Sequence, residues 1–593
     1  MKRQDHLDFL GHFPKDQYSN PSSNQEKALR IISKDGESKT LELPTGSGKT
    51  AIGYTFLKTL DSTGKKSLFY INPTKTLVDQ VKLLHPDVKV IYGRNEYPCL
   101  FYQEGVTAEE APCSMLECPH RVDPETGQTE IAGVQPCPYL WAKFQAKKGG
   151  IIVCTTAFYL FTHLFSDEWG DADGLVIDEA HGIANTVRNC LSYEITDYQI
   201  FRSIDLLHAI GADEVEILRE FLRKMTAIVR RRPSKTATLL EPDEISELLS
   251  DLYKIKPGVL SKKISKAVKS SLIDSADKRD VLKKLEVLTR NLVRYLKSLE
   301  YSLPADGRHP LNYTYAYYEQ ETGKNDKVQY RLVIKAYHVA PIIKRILAPW
   351  TIAYSATIGD PEVFGFETGI KFPFHSFTSE FPVENTRIFM PTDTPNLAMK
   401  SRNRQDMTKS IRKIAKACRT LADAGHRSLV VVVSNAEREK FIMLCEEEGV
   451  HTISYGNGIR PREAATKFKE GAGDVLVGTV SNYGEGVDLH KNIASAIFYL
   501  RPGYPNPNDP GTIFEERRFG NRRWQLWNWR VMIEALQVRG RNVRSVSDLG
   551  VTIFVSQQFK RFLFPALPEW LRGAYKNDLT LKKSIENALE LLK

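Results

Sequence analysis

The sequence predicts an α/β protein with two parallel-sheet domains. Short apolar runs that end in a polar switch recur along its 593 residues, at 67–71, 150–154, 174–177, 350–354, 428–433, 475–478, 495–500 and 551–555. Each reads as a strand buried on both faces. Helical patterns separate most of them, as crossovers between parallel strands require. The runs also fall into two groups, before about residue 380 and after about residue 425, with a linker expected at 382–408 around Pro391 and Pro395.

Taken in order, the first element is a short strand at 39–43, and a helix follows at 51–60 with Thr50 in its first turn. Between them stands Pro44-Thr45-Gly46-Ser47-Gly48-Lys49-Thr50. A strand, a glycine-rich turn and a helix N-terminus form an anion site, where backbone N–H groups and the helix dipole face phosphates. Lys49 is placed to neutralise β/γ-phosphates and the Thr50 hydroxyl to bind Mg²⁺. The strict pattern wants Gly where Leu43 stands, and such a turn alone arises by chance in about one chain in tens. The 174–177 strand ends in Asp178-Glu179-Ala180-His181. Carboxylates there reach the crevice outside the sheet's carboxyl edge. Asp178 is placed to hold Mg²⁺ and Glu179 to orient or deprotonate an attacking water. The two motifs together imply hydrolysis of a nucleoside triphosphate, ATP.

Composition sets bounds. The chain is long enough for about three to five domains, and 42% hydrophobic with 26% charged residues is ordinary globular usage. A formal charge of +10 is compatible with a polyanion partner and does not require one. No apolar run approaches about 18 residues, and the N-terminus has no apolar signal region, so neither membrane span nor secretion is expected. The expected location is cytoplasmic (nucleoid-associated, or nuclear in a eukaryote).

Further motifs follow in order: Tyr70-Ile71-Asn72-Pro73-Thr74-Lys75, Val153-Cys154-Thr155-Thr156, Tyr354-Ser355-Ala356-Thr357, Val477-Gly478-Thr479 through Gly484-Glu485-Gly486-Val487-Asp488, and Gln537-Val538-Arg539-Gly540-Arg541-Asn542-Val543-Arg544. With the first two, they resemble the motifs of superfamily 2 helicases. The resemblance implies two RecA-like motor domains that close on one nucleotide. Catalytic roles fall to Lys49, Asp178, Glu179, His181, Gln537, Arg541 and Arg544. Nucleotide contacts fall to Thr45, Gly46, Ser47, Gly48, Lys49, Thr50, Gly486 and Asp488, with Gln25 placed to read adenine. Arg541 and Arg544, three apart on a helix, share a face and can act as arginine fingers. A solvated basic face and a surface Gln are the bland readings of the arginine pair and of Gln25. Thr74, Lys75, Thr155, Thr156 and Thr479 match strand-contact positions.

Eight cysteines are present, and four of them, Cys99, Cys113, Cys118 and Cys137, crowd together with spacing Cys-x13-Cys-x4-Cys-x18-Cys. Disulfides are not expected in such a chain. Four thiolates suit either Zn²⁺ or a [4Fe–4S] cluster. No Cys-x2-Cys knuckle is present, yet His120 offers a zinc alternative beside Cys118, so local spacing leaves both metals open. An iron–sulfur insertion at this point, between the second and fourth motifs, resembles the XPD/DinG-like helicases. So do Tyr92-Gly93-Arg94 through Cys99, Cys137-Pro138-Tyr139, and Phe381-Pro382-Val383-Glu384-Asn385. Helical runs at 213–232 and 264–303 resemble that family's Arch domain. Where the family often carries Asp after the last motif, Val555-Ser556-Gln557-Gln558 stands instead.

The resemblance implies motor domain 1 at 1–94, 149–188 and 329–380, an Fe–S domain at 95–148, a mostly helical Arch at 189–328 and motor domain 2 at 381–593. It implies an ATP-dependent, 5′→3′ DNA helicase of repair or replication, using ATP, Mg²⁺ and a [4Fe–4S] cluster. It is expected to act as a monomer on single-stranded and forked DNA. RNA or an RNA–DNA hybrid stays open as a substrate, because motor motifs touch mostly backbone. The alternatives are a translocase that clears proteins or R-loops, and a nucleic-acid-binding scaffold with a vestigial ATPase.

Overall fold

Alternate residues along the central strands enter different cores, and this sets the layers. In the first sheet Phe69, Ile71, Leu175 and Ile177 pack on one face, while Leu68, Tyr70, Val176 and Tyr354 pack on the other. A two-residue period sends successive side chains to opposite faces, so a wholly apolar strand must be covered on both. The computed structural model describes residues 7–593 except 36–37, 103–104, 114–116, 234–235, 270–277, 306, 322–326, 399–403, 485–488, 490–492 and 544.

The first sheet has seven strands, in the order Phe374–Ser376, Lys39–Glu42, Trp350–Ser355, Gly174–Ile177, Leu68–Asn72, Ile151–Thr155 and Lys89–Val90, with every pairing parallel. The second also has seven: Thr452–Ile453, Val475–Thr479, Ser428–Val432, Ala496–Tyr499, Gly550–Phe554, Thr386–Phe389 and Tyr575–Lys576, again all parallel. Val430 and Val432 enter one of its cores and Leu429 and Val431 the other. The terminal helix Leu581–Leu592, capped by the Thr580 hydroxyl, closes the first of these with Leu581, Ile585 and Ala588.

Three expectations need correction. The strand Thr386–Phe389 lies inside the expected linker at 382–408, because Ile388 and Phe389 are fully buried and Pro391 falls just after the strand ends. The helical run at 264–303 is two helices, Pro257–Lys269 and Lys278–Glu300, and 270–277 between them lie outside the described residues. The boundary of the mostly helical insertion between Asp178 and Ser355 moves. The insertion also carries an antiparallel sheet of four strands, ordered Tyr193–Thr196, Lys327–Ala336, Asn312–Glu321, Thr238–Leu239. That sheet runs to Ala336, past the expected boundary at 328, and shares a core with the insertion's helices through Ile195, Ala316, Leu332 and Ile334.

Between Cys99 and Cys137 the described chain holds only isolated bridges, Pro98 with Thr107 and Val122 with Thr129. Its buried apolar residues there are Ala108, Ala111 and Val122. No described helix is long and apolar enough to cross a membrane.

Candidate nucleotide site between the two sheets

The phosphate loop lies where the strand Lys39–Glu42 gives way to the helix Lys49–Ser62. Gly46 (φ +83°) and Gly48 (φ +68°) adopt the left-handed backbone that glycine enters without strain. Both are also crowded: a Cβ at Gly46 would lie 2.1 Å from the Phe381 ring, and one at Gly48 2.1 Å from Gln25 Nε2. Ser47 Oγ donates to Pro44 O at 2.7 Å, and Lys49 Nζ reaches Leu43 O at 3.5 Å. Lys49 and Thr50 open the helix, as the motif requires. Glu42, one residue before the loop, accepts the N–H groups of Ile358 (2.7 Å) and Gly359 (2.8 Å). It ties the loop's strand to the segment after Ser355-Ala356-Thr357.

Asp178 follows the strand Gly174–Ile177, its N–H donating to Ile71 O at 3.0 Å. Glu179 takes a left-handed backbone, φ 48° and ψ 49°, a conformation that costs a non-glycine residue of order 1–3 kcal/mol. Its carboxylate accepts from Ser355 Oγ at 3.1 Å. With Ser355 donating there, His181 Nδ1–H donates to Ser355 Oγ at 2.7 Å. Burial and the neighbouring Glu179 charge push the Asp178 carboxyl up to about 7. Burial also raises Glu179, but Lys49, His181, the Ser355 bond and Arg541 outweigh it and hold Glu179 below the usual carboxylate range.

The hydrogen bonds continue across the cleft. Thr357 N–H donates to Ser355 Oγ at 3.3 Å. Gln537, from the second domain, donates through Nε2 to Thr357 Oγ1 at 2.6 Å, and its Oε1 accepts from Arg541 at 3.1 Å. Arg541 Nε also donates to Gly484 O and Gln537 O, both at 3.0 Å. The line Glu179–Ser355–Thr357–Gln537–Arg541 is unbroken, and a Cβ on Gly540 would lie 3.8 Å from Thr45 Oγ1. Beside it, Glu367 pairs with Arg188 and with Arg530 (3.1 Å), and Arg530 pairs with Glu515 at 2.6 Å. The cleft has a volume of about 1580 Å³ and is lined by Thr45, Lys49, Glu179, His181, Gln537 and Arg541 among others.

Residues 22–84 match the DEAD/DEAH box helicase family and residues 415–574 the helicase C-terminal domain family. A probable ATP-dependent helicase of Methanocaldococcus jannaschii is 20% identical over 640 residues, covering 93% of this chain and 94% of that protein. Among solved structures, an XPD helicase has TM-score 0.60 and 17% identity, covering 94% of this chain and 99% of that one. Xpd4 of S. tokodaii has TM-score 0.57 and 14% identity, covering 93% and 98%. The chain thus carries segments of both helicase families, and its fold is that of the XPD helicase structures.

Gln25 Nε2 donates to Gly48 O of the loop (3.3 Å), and its Oε1 accepts from Ser22 N–H (2.8 Å). Thr74 and Thr155 cap the helices that follow them, and Lys75 is paired with Glu96. Thr156 and Thr479 are buried, Thr479 within hydrogen bonds to Tyr455, Ser481 and Asn482. Gly486, Asp488 and Arg544 lie outside the described residues. Three residues absent from the expected site are Glu42, Thr357 and Phe381. Thr357 and Phe381 were signalled by the motifs they stand in, whereas Glu42 carries no local signal.

Cys99, Cys113, Cys118 and Cys137 are all partly exposed and none is in a disulfide. Burial raises the Cys113 thiol, and the other three add to the rise, so all four lie within electrostatic reach of one another. Among the described residues no three His, Cys, Asp or Glu side chains stand at metal-holding distance. His120 Nδ1 bonds Gln135 O at 2.7 Å. Of the remaining cysteines, Cys154, Cys418 and Cys445 are buried, and Cys190 packs against the first domain's core.

Proposed function

We propose that this chain is an ATP-dependent DNA helicase that moves 5′→3′ along a single strand and separates the duplex ahead of it, in repair or replication. The observation that carries this reading is the hydrogen-bond line from Glu179 to Arg541, because it joins the hydrolytic carboxylate in one domain to the arginine of the other. ATP enters with its phosphates on the 44–50 loop and Lys49 against the β- and γ-phosphates. Mg²⁺, held by Thr50 and Asp178, would neutralise phosphate charge. Glu179 aligns water for in-line attack on the γ-phosphorus and accepts its proton, while the β–γ bridging bond breaks to leave ADP. Arg541 stabilises the charge on the transferred phosphoryl group as the domains close. Thr357 and Gln537 pass the change in phosphate state between domains, which is what a translocating motor needs.

A [4Fe–4S] cluster on Cys99, Cys113, Cys118 and Cys137 is supported by the chemistry of four unbridged thiols in a segment with almost no core of its own, while the described side chains do not stand at metal-holding distance. Bound there, such a cluster would supply the bonds that hold this segment folded. The insertion at 193–336 then serves as the Arch. Strand-dependent hydrolysis tests the proposal: the wild-type chain should hydrolyse ATP faster with single-stranded DNA, and Glu179→Gln should bind ATP without turnover. An ATPase indifferent to any strand would overturn the helicase reading.

A further inference from the structure

We infer that a tyrosine ladder on the antiparallel sheet of the second insertion is a stacking platform for single-stranded nucleic acid continuous with the interdomain cleft. This rests on the strand-translocating function proposed above. Tyr313, Tyr315 and Tyr317 alternate with Thr314 and Ala316 along the strand Asn312–Glu321. The two-residue period puts the three rings on one face, while Thr314 and Ala316 are buried on the other. The rings stack in sequence, Tyr313 to Tyr315 at 6.2 Å and 23°, Tyr315 to Tyr317 at 6.2 Å and 20°. Phe514 of the second domain extends the row, 5.1 Å from Tyr313 at 28°. Four near-parallel rings thus cross from the second domain onto the insertion.

The position of the row argues for a strand. Tyr313 and its cross-strand partner Lys335 line the interdomain cleft, so the ladder begins at the cleft wall and runs outward. The helix Pro510–Phe519 covers the inner end through Gly511 and Phe514, and Tyr315 and Tyr317 remain half-exposed. Arg331, opposite Tyr317, lies 5.9 Å over its ring but is paired with Glu194 and Glu319. At the outer end one arginine faces two carboxylates, so the face offers stacking and not phosphate pairing there, with Lys335 as the cation at the cleft end. Unpaired bases expose the flat surfaces that such rings accept, and every base has one.

The test uses the full chain with Tyr315→Ala/Tyr317→Ala and with Tyr315→Phe/Tyr317→Phe. Fluorescent oligonucleotides of dT and rU are titrated at two lengths, about 8 nucleotides to fill the cleft and about 20 to reach the ladder. The alanine variant should lose about tenfold in affinity for the longer strand, the worth of roughly one stacked base. It should match wild type on the short one and keep an unchanged salt slope. The phenylalanine variant should bind as wild type does. Equal losses on dT and rU assign the platform to single strands generally, and a loss on one alone assigns it to that nucleic acid. Wild-type affinity of the alanine variant for the long strand would overturn the ladder and leave the helicase reading intact, making the face a protein-covering surface. Failure of the wild-type chain to bind either length would overturn both.

Discussion

Gln537 touches both halves of the relay, donating to Thr357 Oγ1 at 2.6 Å and accepting from Arg541 at 3.1 Å. Gln537→Ala removes both bonds at once. Arg541 keeps two backbone acceptors, Gly484 O and Gln537 O, so the arginine stays folded in place but loses the link to the first domain. A hydrogen bond to a charged group contributes about 1.5–3 kcal/mol and a neutral one about 0.5–1.5 kcal/mol. If about 1–3 kcal/mol of that sum acts on the barrier, turnover falls by about 5- to 150-fold. The assay is strand-stimulated ATP hydrolysis at saturating ATP, with nucleotide affinity measured separately. Affinity should change little, because the phosphate loop belongs to the other domain. Gln537→Glu separates the two bonds: it keeps an acceptor for Arg541 and cannot donate to Thr357, so an intermediate loss is expected. Full turnover in Gln537→Ala would refute the relay.

Four further outcomes are expected. Lys49→Ala should abolish hydrolysis while DNA binding, read by fluorescence anisotropy, survives. Arg541→Ala should lower turnover far more than ATP affinity, by about 3–5 kcal/mol in the barrier, checked by steady-state kinetics beside equilibrium binding. Glu367→Ala strands the Arg188 and Arg530 charges at the domain junction and should cost about 3–5 kcal/mol of stability in chemical denaturation. Burial raises the Glu367 carboxyl, but Arg530 and Arg188 outweigh it and hold it below its ordinary 4.5. Its contribution is therefore complete above about pH 4.5 and is lost as pH falls through the lower folded value, so the stability gap between wild type and Glu367→Gln should shrink in acid. Anaerobic protein should carry about four irons and four labile sulfides, and Cys113→Ser should bleach it, abolish duplex separation and spare part of the hydrolysis. One zinc and no iron would replace the cluster with the Cys118/His120 alternative.

What could be read in advance was whatever repeats at short range. The runs at 174–177, 429–433 and 475–478 carry no polar side chain, and both faces of their sheets are covered, so composition alone placed them. The edge strands Lys89–Val90, Thr452–Ile453 and Tyr575–Lys576 have two residues each and leave no periodic trace. Thr386–Phe389 was hidden by the prolines after it. The strand Asn312–Glu321 alternates Tyr with small residues, and its pairing with Lys327–Ala336 depends on partners far from the helices around it. At the site, the loop and the carboxylates were legible because each is a local motif. Glu42 and the ion pairs of Glu367 were not, because their partners lie far away in sequence.

The most direct test of the account is unwinding of forked DNA by protein purified anaerobically, with a single-stranded tail of either polarity. The account predicts ATP-dependent separation of the 5′-tailed fork, none of the 3′-tailed fork, and no separation of either by Glu179→Gln. Separation of the 3′-tailed fork alone would reverse the direction of travel. Separation of neither fork, with hydrolysis indifferent to DNA, would contradict the central claim that the relay between the two sheets drives movement along a strand.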